Sequence, residues 1–111
     1  MREIIMMTAP VQNKDEIVAR LSSVGEELAA LGVAEIGLFG SFAAMRQTAS
    51  SDIDFIVEFA PEKHTFDNFM ELSFLLENLM GRPVELVTPE ALSPHIGPHI
   101  LQEVERVPIS T

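Results

Sequence analysis

Apolar residues in this chain recur with one period, lose it at Gly and Pro, and resume with another. After Asn13 they fall at Ile17, Val18, Leu21, Val24, Leu28 and Leu31. Those steps of one, three and four trace one face of a helix. Asn13 suits its N-cap, Glu16 stands where a capping box needs an acid, and Gly32 follows as a left-handed stop. The spacing predicts one helix over 14–31. Val33 to Phe39, with Ile36 and Leu38 on one side, predicts a short strand broken by Gly40-Ser41. Phe42 to Arg46 has room for one or two helical turns, and 47–51 is a small, polar loop. Ile53 to Phe59 is β-branched and aromatic, a second and central strand that Pro61 ends.

A second helix is predicted over 64–80. Phe66, Phe69, Met70, Ser73, Leu76, Leu79 and Met80 trace most of its apolar face, with Leu72 and Leu75 widening it; Thr65 is a suitable cap and Gly81 the stop. A third strand follows over 84–88, then a turn at Pro89–Leu92 and a last short helix over 99–106. Residues 1–12 contain Pro10 and lack a helical period. They read as an N-terminal arm or extra strand whose run Ile4-Ile5-Met6-Met7 favours cover, for instance by a second chain.

The order α, β, short α, β, α, β, α predicts an α/β (α+β) domain over 13–111: a small mixed sheet of three to four strands with helices packed on it. The short link between the first two strands suits an antiparallel pair. With 111 residues, 47% of them apolar, the chain has enough for one core and no second domain. A domain this small leaves one sheet face poorly covered, which suits a homo-oligomer.

Composition narrows the function classes. The absence of cysteine excludes disulfides, thiolate metal sites and a Cys nucleophile. Seventeen acids against seven bases give a net charge of −10, which argues against direct binding of polymeric nucleic acid. The aromatics are all Phe, so stacking platforms for bases are scarce. No apolar run approaches the ~20 residues of a membrane span, and the expected setting is cytoplasmic.

Chemistry concentrates in Gly40-Ser41 and in Ser51-Asp52-Ile53-Asp54. Alternation along a strand points Asp52 and Asp54 to one side, with Cα atoms roughly 7 Å apart. Two such carboxylates repel at neutral pH unless a cation or a proton lies between them. All-oxygen ligands favour Mg²⁺ or Mn²⁺ over zinc. Gly40 lets a ligand approach the backbone, and the Ser41 hydroxyl adds a donor, so the pair suits phosphate. Glu85, flanked by Val84, Leu86 and Val87, is the candidate third acid of a two-metal site. His64, His95 and His99 read as surface or capping residues.

Together, Gly40-Ser41, the strand Ser51-Asp52-Ile53-Asp54-Phe55-Ile56-Val57-Glu58-Phe59 and the stretch Arg82-Pro83-Val84-Glu85-Leu86-Val87-Thr88-Pro89-Glu90-Ala91-Leu92 resemble the minimal nucleotidyltransferases of the DNA-polymerase-β-like superfamily. The resemblance spans Asn13 to Arg106 and extends to the MNT-type antitoxins, which are paired with HEPN-type toxins. It implies transfer of AMP from ATP to a tyrosine hydroxyl of the toxin, with pyrophosphate leaving. It assigns triphosphate contact to Gly40 and Ser41 and metal binding to Asp52 and Asp54. Glu85 receives metal binding or the general-base role.

The chain departs from that pattern after Gly-Ser. Many members continue with x-Ala-Arg-Gly, whereas here Ala44 stands at the arginine position and Met45 at the glycine position. A bidentate phosphate contact is thereby lost. Arg46, two positions later, is near enough to reach the site, but helical direction turns it roughly 200° away. Many members also carry Asp where this chain has Glu85. The missing arginine, the strong acidity and the apolar N-terminal arm support an alternative of another class, a catalytically weak or inactive antitoxin that neutralises its partner by binding. Transfer to a small molecule such as an aminoglycoside fits less well, because the chain lacks room for a substrate domain.

Overall fold

The computed structural model describes residues 9–95 and 97–109. Residues 1–8, including the apolar run of the expected arm, lie outside the described residues. The end of that arm is part of the core: Val11 is fully buried, and its N–H donates to the Met80 carbonyl at 3.0 Å.

Asn13 caps α1 (Lys14–Ser23), its side chain accepting from the Glu16 N–H at 2.9 Å, while Glu16 accepts from the Gln12 N–H at 2.7 Å. The helix expected over 14–31 is two helices. It breaks at Val24 (φ −120°, ψ 28°) and resumes as α2 (Gly25–Ala30). The Ser23 hydroxyl donates back to the Arg20 carbonyl at 2.6 Å, and Gly25 follows one residue beyond the break. A back-bonding serine and a glycine both weaken helix continuation. Ile17, Leu21 and Leu28 remain buried on either side of the break.

Next come β1 (Val33–Phe39), α3 (Gly40–Ala43), β2 (Ile53–Phe59), α4 (Phe66–Met80) and β3 (Val84–Val87). A 3₁₀ turn at Pro89–Ala91, α5 (Gly97–Glu103) and β4 (Glu105–Val107) complete the described chain. The sheet order is β3-β2-β1-β4. β1 pairs antiparallel with β2 and β4, and β2 pairs parallel with β3, so the expected mixed α/β sheet is what forms. The last helix begins two residues before its predicted start, because Pro98 is tolerated in a first turn. β4 went unpredicted: three residues, two of them charged, carry no readable period.

Side-chain alternation sorts the sheet into two faces. Ile53, Phe55 and Val57 of β2 are fully buried and join Ile36, Leu38, Leu72, Leu76 and Met80 in one core. Of the predicted face of α4, Leu72, Leu76 and Met80 are fully buried and Leu75 and Leu79 pack against the core, while Phe66 at the helix start is exposed. The opposite face of β2 presents Asp54, Ile56 and Glu58. α5 and the residue after it cover part of that face, where Leu101 and Val104 border Gly37 and Ile56. The rest stays open at the end where β1 runs into Gly40. No helix among the described residues is long and apolar enough to cross a membrane.

Candidate active site

Strand register brings the predicted acids together. Asp54 of β2 stands opposite Glu85 of β3 in the parallel ladder and opposite Phe39 of β1 in the antiparallel one. Neighbours in register share a face, so Asp54 and Glu85 point the same way, beside the end of β1. Asp52, two residues earlier, keeps to that side. The start of β2 is pinned to β3 by the Ile53 N–H, which donates to the Pro83 carbonyl at 3.0 Å. β3 is tied to α4 by its Val84 N–H, which donates to Glu77 Oε2 at 3.1 Å.

The three acids differ in environment. Asp52 and Glu85 are exposed, while Asp54 is half-buried. The Asp54 carboxyl is pushed up from its ordinary 3.8 to about 6. Burial is the largest cause, followed by the negative charges of Glu85 and then Asp52, and by a hydrogen bond with Glu85. These carboxyls therefore repel one another, and the site favours a proton or a cation. Glu85 lies on an edge strand and is wet, so its apolar neighbours in sequence do not enclose it. No three His, Cys, Asp or Glu side chains among the described residues form a ready-made ion cage. The acids are gathered but not closed around a point.

Gly40 is required here twice over. Its φ is +77°, a left-handed conformation that a side chain resists, and a Cβ on it would run into the Asp54 carboxylate. The Asp54 carboxyl thus lies directly over the Gly40 backbone. Gly40 also lines a cleft of about 510 Å³, together with Ser41, Ala43, Ala44, Arg46 and Glu103. Gly40 is the point where the Gly-Ser bend meets the acids.

Arg46 lies on that cleft and not away from it, which corrects the helical argument. α3 ends at Ala43, and Met45 takes the left-handed conformation at φ +60°. The turn closes with the Arg46 N–H donating to the Ser41 carbonyl at 2.8 Å. A rotation of 100° per residue no longer applies past Ala44.

Arg82 also escaped the sequence reading. It is buried at 8% exposure and pairs with no acid among the described residues. Its Nε donates to the Val11 carbonyl at 2.7 Å. Its Nη1 donates to the carbonyls of Thr48, Ala49 and Ser51 at 3.0, 3.3 and 2.9 Å. The guanidinium lies 4.9 Å over the Phe42 ring. One side chain thus fastens the loop that delivers Asp52 to the first residues of the core. The available signal was a lone arginine ahead of an apolar strand.

A model of the nucleotidyltransferase domain matches residues 21–107. The chain belongs to that family. This nucleotidyltransferase is 37% identical over 91 residues to the protein adenylyltransferase MntA of Thermococcus cleftensis, covering 81% of this chain and 91% of that protein. Its fold matches a solved chain named "putative minimal nucleotidyltransferase" at TM-score 0.75, with 27% identity, over 87% of this chain and 98% of that one. It also matches, at TM-score 0.59 and 19% identity, a Shewanella oneidensis structure of a tri-AMPylated HEPN toxin in complex with an MNT antitoxin, over 85% and 73% of the two chains. The last likeness concerns the fold alone. The domain is of the minimal, MNT type that Gly40-Ser41 and the Asp-x-Asp strand foretold.

Proposed function

We propose that this chain is the antitoxin of a HEPN-type pair and inactivates its partner by transferring AMP from ATP to a hydroxyl of the toxin. The observation that carries the reading is the Asp54–Glu85 pair, set in register over Gly40 with Asp52 two residues away. The relative named a protein adenylyltransferase and the fold shared with a toxin-bound MNT antitoxin support the choice of reaction and partner.

Mutual repulsion among Asp52, Asp54 and Glu85 fits a Mg²⁺ site, with Mn²⁺ a chemically similar occupant. When bound, such ions offset the carboxylate charge and polarise the α-phosphate. Gly40 and Ser41 border the triphosphate, and its reacting end lies beside Asp54. The acceptor hydroxyl forms a bond to the α-phosphorus as the bond to the bridging β-oxygen breaks, releasing pyrophosphate. Glu85 either completes the ion site or accepts the hydroxyl proton.

The test is direct. The protein is incubated with ATP, Mg²⁺ and the toxin encoded beside it, and the toxin is weighed by mass spectrometry. One or more added AMP units are expected, lost with EDTA and with Asp54→Asn. An unmodified toxin would overturn the reading. Ala44 at the usual arginine position favours a second reading, neutralisation by binding alone. In that case Asp52→Asn/Asp54→Asn would still protect cells from the toxin.

A further inference from the structure

We propose that Arg46 is the residue that grips the β- and γ-phosphates of the nucleotide; the assignment rests on the nucleotidyltransferase reading above. The chain has seven Lys and Arg residues in all. Arg2 lies outside the described residues. Lys14 is held by Glu105 at 2.9 Å, and Arg106 pairs with Glu35 at 3.5 Å. Arg20 donates to the carbonyls of Ala9 and Leu79, and Arg82 is spent on Val11 and the 48–51 loop. Lys63 packs its stem against Gly32, at the far end of β1 from Gly40. Among the described residues this leaves Arg46 as the one cation that lines the Gly40–Ser41 cleft, exposed and with its guanidinium free of an acid partner.

The geometry gives that cation a definite use. Gly40 touches the Asp54 carboxyl and also lines the cleft. A phosphate chain that starts at the acids and crosses Gly40 and Ser41 leaves its distal phosphates in the cleft. Those phosphates meet a protein of net charge −10 and, on the cleft wall, the Glu103 carboxylate. A guanidinium is the group that resolves this, since its paired donors match phosphate oxygens. Arg46 reaches the cleft only because Met45 turns left-handed after a four-residue helix.

Binding calorimetry with Mg²⁺ and three probes tests the assignment: the non-hydrolysable ATP analogue AMP-PNP, inorganic tripolyphosphate and AMP. Arg46→Ala is expected to weaken AMP-PNP and tripolyphosphate roughly tenfold or more while leaving AMP within twofold. Arg46→Lys keeps the charge without the fork and falls between. Ala44 lies on the same wall, so Ala44→Arg in the Arg46→Ala background is expected to recover most of the lost affinity. Unchanged AMP-PNP affinity in Arg46→Ala would overturn the proposal, and so would an equal loss for AMP. Wild-type protein that transfers AMP to the toxin while Arg46→Ala binds AMP-PNP normally would sink this assignment alone. Wild-type protein that binds no AMP-PNP would sink it together with the nucleotide reading.

Discussion

Replacing Asp54 by Asn should stabilise the metal-free protein while abolishing its chemistry. The Asp54 carboxyl is raised from 3.8 to about 6 by burial and by its acidic neighbours, so folding strains the ionised form. At about 1.4 kcal/mol per pH unit, the shift corresponds to at most about 3 kcal/mol. Asp54 is only half-buried, and solvent screening brings this to about 1–2 kcal/mol. The sign follows from proton binding. Between the unfolded value near 4 and the folded value near 6, the folded state holds more protons, so wild-type stability falls as pH rises through that window. The advantage of Asp54→Asn should therefore be full above pH ~7, about half as large near pH 5, and small at pH ~4. In a domain of this size it equals a rise in Tm of about 5–10 °C. Urea unfolding in EDTA at pH 8 and pH 5 measures it. Mg²⁺ should then stabilise wild type, by about 1.4 kcal/mol at ten times its Kd, and leave Asp54→Asn unchanged. If Asp54→Asn is no more stable than wild type at pH 8 in EDTA, or if its advantage is the same at both pH values, the carboxylates are not in mutual repulsion and the cation argument fails.

Gly40→Ala places a methyl group against the Asp54 carboxylate at a left-handed φ; a loss of about 2 kcal/mol or more in urea unfolding is expected, with AMP transfer lost. Arg82→Ala strips the 48–51 loop and Val11 of their shared donor and should cost about 3 kcal/mol. AMP transfer measured at low temperature on the folded fraction should fall as well, because that loop carries Asp52. Glu103→Gln removes a like charge from the cleft wall and should lower the KM for ATP about twofold at low salt, an effect that fades as ionic strength rises.

Much of the fold could be read from the chain because its signals were local. The caps at Asn13 and Thr65 and the stops at Gly32 and Gly81 stand where the side chains and backbone demand. β1 and β2 have the bounds their composition implies. What failed depended on partners. Val24 looks like a helix position until the Ser23 hydroxyl turns back to Arg20. Phe66 fits the apolar period of α4, but the sheet lies against the Leu72–Leu76–Met80 stripe. Glu105-Arg106-Val107 becomes a strand only because β1 offers it an edge.

The site divides along the same line. That Asp52 and Asp54 share a side follows from strand alternation alone, and strand register supplies Glu85, since Asp54 and Glu85 are opposite one another. The arginines were hidden for a physical reason. A cation announces a role in sequence only through neighbours at helical or strand spacing, and neither arginine has any. Arg82 acts on carbonyls 31 to 71 residues away along the chain. Arg46 was judged by a helical rotation that the chain abandons at Met45. The substitution of Ala44 and Met45 for the usual arginine and glycine therefore does not remove the cation from the bend. The left-handed turn that a glycine would make is still made, by methionine at φ +60°, and the next side chain, Arg46, borders the cleft.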